Sequence, residues 1–176
     1  MSGLKETLID ELRDVFDAEK QLLKALPKLA KAAENEDLKA AFEQHAEETE
    51  GQIEQLKEVF ELFGETARGK KCKGMEGLIE EGSEMIEEEA GDAALICAAQ
   101  KAEHYEIATY GSLSAWAKLL GEEQAVEIFE RILEEEKETD QKLTDLAESV
   151  INAEEEQDEG EEDEKPAAKR GKAAKK

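Results

Sequence analysis

The sequence predicts an all-α protein, a four-helix bundle built as two helical hairpins. A long crossover containing a short fifth helix joins the hairpins, and a C-terminal tail follows. Three observations lead there. Apolar residues recur in steps of four and three through residues 1–153, the mark of helices that share a buried seam. Only 2 prolines occur in 176 residues, and β-branched residues are sparse. Caps and breakers divide the chain into segments whose connections run short, long, short.

The first helix carries Leu8, Leu12, Val15, Leu22, Leu26 and Leu29, with Pro27 expected to kink it mildly near its end. Asn35 and Asp37 suit the start of the second helix, which carries Leu38, Phe42, Leu56, Val59 and Phe63 and stops at Gly64. A basic connector follows from Glu65 to Gly74 (ETARGKKCKG). A shorter amphipathic helix is expected from about Met75 to Glu89, with Leu78, Ile79, Met85 and Ile86 on one side. Gly91 and Asp92 end it and cap the third long helix, which carries Leu95, Ala99, Ala102, Leu113, Trp116 and Leu120. Gly121 breaks that helix, and the fourth carries Phe129, Leu133, Leu143, Ala147 and Val150.

Two hairpins with one long crossover is the ferritin-like topology, whereas an up-down-up-down bundle would need three short loops. We therefore expect residues 1–153 to form the bundle and 154–176 to form a disordered tail. In that tail nine of the eleven residues from Glu154 to Glu164 are acidic, and six Lys or Arg follow from Lys165 to Lys176. Such a segment cannot bury enough apolar surface to fold. The chain as a whole has 47 acidic and 23 basic residues, a formal charge of −24. That balance disfavours phosphate backbones as partners of the main body. No apolar run approaches the ~20 residues of a membrane span, and the N-terminus lacks the pattern of a secretory signal. Two cysteines make no disulfide framework, so reduced thiols and a cytoplasmic location are expected.

The informative feature is what interrupts the seams. Helix one places Glu19 on its ladder; helix two places His45, Thr49 and Gln52 there, with Glu48 beside them. Helix three has Glu106 and Thr109 on the ladder, flanked by Glu103 and Tyr110, and helix four has Glu136 and Asp140. Glu106 lies 15 residues before Gly121 and Glu136 lies 15 after it. The breaks in the first hairpin lie at similar distances from Asn35, so all should meet in one layer. Buried carboxylates escape their desolvation cost in one of two ways: protonation with mutual hydrogen bonding, or binding of cations. Oxygen-rich ligation with an imidazole suits iron or manganese, and two divalent ions would offset most of the charge. His104, one step off the seam, reads as a surface or supporting residue, Trp116 as core, and Tyr110 as core with a hydroxyl able to reach the acidic layer.

The stretches DELRDVFDAEKQLLKALPKLAKAA, KCKGMEGLIEEG, AEHYEIATYGSL and LEEEKETDQKLTDLAE together resemble the ferritin-like stress-protein family of the YciE and YciF type, over about residues 4–150. The resemblance implies a ferritin-like bundle, a homodimer, and a cytoplasmic protein associated with stress. It implies no settled activity. Di-iron relatives use Glu-x-x-His on two helices. Here Glu48 is followed by Gly51 and Glu136 by Thr139, so the nearest substitutes are the reversed pair His45 and Glu48 and the pair Glu136 and Asp140. Glu19, Glu48, Glu106 and Glu136 are thus the first-ranked metal ligands, with His45, Glu103 and Asp140 second. The leading functional expectation is oxidation of bound Fe(II) by oxygen or peroxide, or removal of peroxide. The alternative is a non-enzymatic dimer with a metal-free acidic layer.

Two side features complete the reading. The basic end KPAAKRGKAAKK is similar to arms that contact DNA, although a solubilising tail is the favoured reading. Cys72, among Arg68, Lys70, Lys71 and Lys73, is either a thiol with a lowered pKa in an exposed loop or a structural residue, the latter favoured. Cys97 is expected to be a small buried hydrophobe.

Overall fold

The structure, a computed structural model, describes residues 3–153; the acidic and basic tail lies outside the described residues. Five α-helices appear in the expected order: α1 (Leu4–Ala32), α2 (Glu36–Leu62), α3 (Lys73–Glu87), α4 (Asp92–Leu120) and α5 (Glu123–Leu146). A π-helical turn, Ala147–Ile151, continues α5 and was not foreseen; it buries Ile151. α1 runs through Pro27 without ending. The Asn35 side chain caps α2 by accepting from the Asp37 and Leu38 N–H groups (2.9 and 3.1 Å). α4 ends at Gly121, whose φ of 77° is a left-handed conformation that a side chain would resist.

α1 packs on α2 and α4, and α5 packs on the same two helices. Side-chain contacts give the directions. Gln100 reaches Asp140 while Ser114 reaches Glu130, so α4 and α5 are antiparallel. Lys142 reaches Gln44 and Arg131 reaches Gln55, so α2 and α5 are antiparallel as well. Asp92 meets the backbone of Glu34 and Asn35 while Tyr105 meets Asp14, so α4 opposes α1. Between the hairpins the connector runs along α1. Lys70 N–H donates to the Arg13 carbonyl (2.9 Å), and Cys72 N–H donates to Asp17 Oδ2 (2.9 Å). α3 then continues along α1 and α4, with Gly74 against the Tyr105 ring and Gly82 against Ala98. A Cβ at Gly74 would come within 2.8 Å of that ring, so only glycine allows the approach.

Asp92 is the first residue of α4 rather than its side-chain cap: the N-cap is Gly91, and the buried Asp92 carboxylate takes the N–H groups of Glu34 (3.0 Å) and Asn35 (2.7 Å) instead. Cys97 is exposed, because it sits on the outer side of α4 between the buried Ile96 and Ala98. Cys72 is fully buried rather than held in an open loop. It caps α3 by accepting from Met75 N–H, and its Sγ lies 3.0 Å from the Tyr105 hydroxyl, which itself donates to Asp14. Burial and the nearby Asp14 push the thiol pKa up, so the surrounding lysines do not activate it. Trp116 is only partly buried, packed on the edge of the core. Among the described residues no helix is long and apolar enough to cross a membrane.

The apolar interior falls into two clusters. One gathers Leu8, Leu12, Phe16, Leu56, Phe60, Tyr110, Leu113, Phe129 and Ile132. The other gathers Ala18, Leu22, Leu26, Leu38, Phe42, Ala99, Ala102 and Leu143 with Met75 of α3. Along every long helix the polar interruption falls between the two.

Candidate metal centre

Each long helix delivers a polar side chain to this boundary because its seam step lands there. α1 gives Glu19, α2 gives His45, Thr49 and Gln52, α4 gives Glu103, Glu106 and Thr109, and α5 gives Glu136, all buried. Glu19, Glu106 and Glu136 have no measurable exposure, and Glu103 and His45 have 1% and 2%. His45, Glu103, Glu106 and Glu136 each bring one donor atom into a group whose members lie within 4.8 Å of one another. His45 Nδ1 lies 3.1 Å from Glu103 Oε1, and its Nε2 lies 3.6 Å from Glu136 Oε2. These are close contacts without hydrogen-bond alignment, since neither ring nitrogen has a hydrogen-bond partner.

Glu19 stands at the other side of Glu106 and Glu136. The Tyr110 hydroxyl donates to Glu19 Oε1, which fixes the carboxylate and leaves Oε2 unpartnered. Both oxygens of Glu106 and of Glu136, one of Glu103 and the Gln52 carbonyl oxygen are likewise buried without partners. A buried polar atom left unsatisfied costs about 1–3 kcal/mol, so so many in one place call for protons, ordered water or a cation. The electrostatics point the same way. Burial first, then the charges of neighbouring glutamates, raise the pKa of Glu19, Glu103 and Glu106 well above the usual carboxylate range. Burial and the Glu19 charge raise Tyr110, which therefore stays a donor.

The structure brings five of the seven candidate ligands together and leaves two apart. Glu48 follows one residue before the buried Thr49, a rotation of about 100° away from the seam. It is half-buried at the surface and accepts from Gln44 Nε2 (2.6 Å). Asp140 lies a turn beyond Glu136, also half-buried, where Gln100 Nε2 donates to its Oδ1 (3.1 Å) and the exposed His104 Nε2 is 3.5 Å from its Oδ2. Sequence reasoning passed over Glu135, whose Oε2 accepts from Gln52 Nε2 (3.0 Å). Its only sequence signal is adjacency to Glu136 in a run of three acids. Carboxylates with one imidazole, buried and incompletely bonded by the protein, make a donor set that fits a hard or borderline divalent cation.

Comparison with known proteins was made against this geometry. The family model described as a domain of unknown function, DUF892, matches residues 3–156. Protein YciF of Escherichia coli strain K12 is 50% identical over 157 residues, 86% of this chain and 95% of YciF. The crystal structure of that stress protein superposes with a TM-score of 0.80 at 51% identity, over 84% of this chain and 96% of the other. YcfI of Rhodopseudomonas palustris, provisionally described as a structural protein, gives 0.79 at 41% identity over 81% and 94%. A protein of Xanthomonas campestris pv. campestris gives 0.69 at 26% identity over 89% and 99%. The chain belongs to the DUF892 family of YciF-type proteins.

Proposed function

We propose that this chain is a ferritin-like, stress-associated protein whose buried glutamate and histidine layer holds iron or manganese, two ions per protomer. One observation carries the reading: donor atoms of His45, Glu103, Glu106 and Glu136 converge within 4.8 Å in a buried layer where most of their polar atoms have no protein partner. His45, Glu103, Glu106 and Glu136 would hold the first ion. Glu19, fixed by Tyr110, would serve the second ion together with the neighbouring glutamates of the layer. Bound iron or manganese would supply one-electron chemistry toward dioxygen or peroxide. The chain's own residues exclude water through the two flanking apolar clusters and hold the Glu19 carboxylate in a fixed orientation. The stress association rests on the description of YciF. A homodimer, a cytoplasmic location, and a division into a bundle (1–153) and a tail (154–176) belong to the same proposal.

Anaerobic titration with Fe(II) or Mn(II) tests it directly. Uptake approaching two ions per protomer supports the reading, and no saturable uptake sinks it. A second reading has its own support: the carboxyls with raised pKa and the hydroxyl of Tyr110 can satisfy one another as neutral acids. On that reading the protein is a non-enzymatic dimer acting through partners, and chelation leaves its stability unchanged.

A further inference from the structure

On the α3 side of the molecule a narrow cleft enters between α1, α3 and α4. Its core has about 30 Å³ of free volume, roughly what one water occupies in the liquid. Leu22 and Leu26 of α1, Ile79 and Gly82 of α3, and Ala99 and Ala102 of α4 line it. The exposed Lys28 stands at its mouth, and the buried Glu103 is also part of its lining. Apart from those two, Ser83 is the sole polar residue of the lining, and its hydroxyl is already donated to the Ile79 carbonyl (2.8 Å). Glu103 is 1% exposed and its Oε2 has no hydrogen-bond partner. Glu103 therefore belongs both to the lining of the cleft and to the candidate metal centre.

The chemistry of the walls selects what can travel. A cation would lose its hydration along an apolar passage with a lysine at the mouth. Hydrogen peroxide would lose most of its hydrogen bonds, because apart from Lys28 and Glu103 the lining offers only the Ser83 oxygen in exchange. An uncharged, apolar diatomic loses nothing. We propose that this cleft is the route by which dioxygen reaches the buried glutamate and histidine layer, with crossover helix α3 forming its outer wall. The proposal rests on the metal-binding reading above. It adds the identity of the small reactant and the path it takes.

Gly82 is the position at which to close the route. A Cβ there would rest 3.5 Å from the Ala98 Cβ, an ordinary contact, while a longer side chain would extend into the cleft. The experiment compares wild type with Gly82→Leu, and with Ala99→Leu should the first variant fold poorly. Xenon serves as an inert apolar probe of the metal-free protein, read by NMR shifts of the lining residues. Mn(II) titration reads the metal site. Stopped-flow oxidation of anaerobically loaded Fe(II) is then started with dioxygen and separately with hydrogen peroxide. In wild type, xenon should perturb Leu22, Ile79 and Ala102. In the variant that perturbation should vanish, Mn(II) uptake should persist, and the dioxygen reaction should slow about tenfold or more while the peroxide reaction keeps its rate. Absence of xenon from the wild-type cleft overturns the proposal. So does a variant that excludes xenon yet reacts with dioxygen at the wild-type rate. Failure of wild type to bind Mn(II) or Fe(II) would instead refute the metal-binding reading, and the xenon result would still decide whether the cleft admits an apolar guest.

Discussion

The two apolar clusters flanking the acidic layer are built from different residues. One holds Phe16, Phe60, Phe63, Tyr110 and Phe129, with the Phe16 and Phe60 rings edge to face at 5.3 Å. The other holds Ala18, Ala30, Ala99 and Ala102, with Phe42 its one buried aromatic, and it includes the cleft. Large rings lock one half by area and shape. Small residues in the other half leave room for a third layer, α3, and for the cleft beneath it. The contrast suggests a division of labour, with a rigid base holding the acidic layer on one side and an accessible wall on the other.

Truncation should expose that division. Phe60→Ala should cost about 3–5 kcal/mol of stability, whereas Leu22→Ala beside the cleft should fall nearer 2 kcal/mol, since its surroundings are already loosely filled. Chemical denaturation of both variants measures the difference; equal costs would remove the contrast. The acidic layer comes next. Glu136→Ala should weaken Mn(II) binding more than about 100-fold, beyond the usual cost of losing a supporting partner.

The same layer should reveal its burden in metal-free protein. Both oxygens of Glu106 are unpartnered, so Glu106→Leu should raise the melting temperature by the equivalent of about 1 kcal/mol or more. The pH dependence carries a sign. Glu19, Glu103 and Glu106 have raised folded pKa values, so without metal the folded state retains protons that the unfolded chain has released. Their contribution is complete below the unfolded carboxyl value of about 4.3 and is lost as pH rises through the raised folded values. Bound metal reverses the trend, because protons compete for its ligands. Melts from about pH 5 to about pH 8, with chelator and with Mn(II), should slope in opposite directions. Smallest of all, Arg13→Ala should cost under about 1 kcal/mol, since its 2.8 Å ion pair with Glu65 is more than a third exposed.

Much of this organisation was legible in the residues. Seam spacing located Glu19, His45, Glu106 and Glu136, and Asn35, Gly64 and Gly121 marked the turns. What was not legible depends on rotation within a helix or on distant partners. Glu48 was ranked above His45 because carboxylates were sought on every helix, yet a single step of the helix turns Glu48 outward. α2 in fact contributes an imidazole, a hydroxyl and an amide, and with Asp140 also turned away the layer has two acids fewer than expected. For Cys72 the cations beside it in sequence keep an activated thiol open as an alternative to the favoured structural role. Its neighbours in space are Asp14, Asp17 and Tyr105, more than thirty residues away along the chain. Asp92, with partners 57 and 58 residues distant, carries no local sign of its role either.

The basic connector illustrates what such distant partners do. It contains Arg68, Lys70 and Lys71, three cleavage sites for trypsin in a segment without regular structure, and Lys73 follows as the first residue of α3. Yet Lys70 is hooked to the Arg13 carbonyl, Cys72 is held at both its N–H and its carbonyl by Asp17 and Gln21, and Gly69 lies against Asp17. A protease needs several residues drawn out into its own groove, and these are already committed to α1. The segment that reads as the most cuttable stretch of the bundle should outlast digestion until the two hairpins themselves come apart.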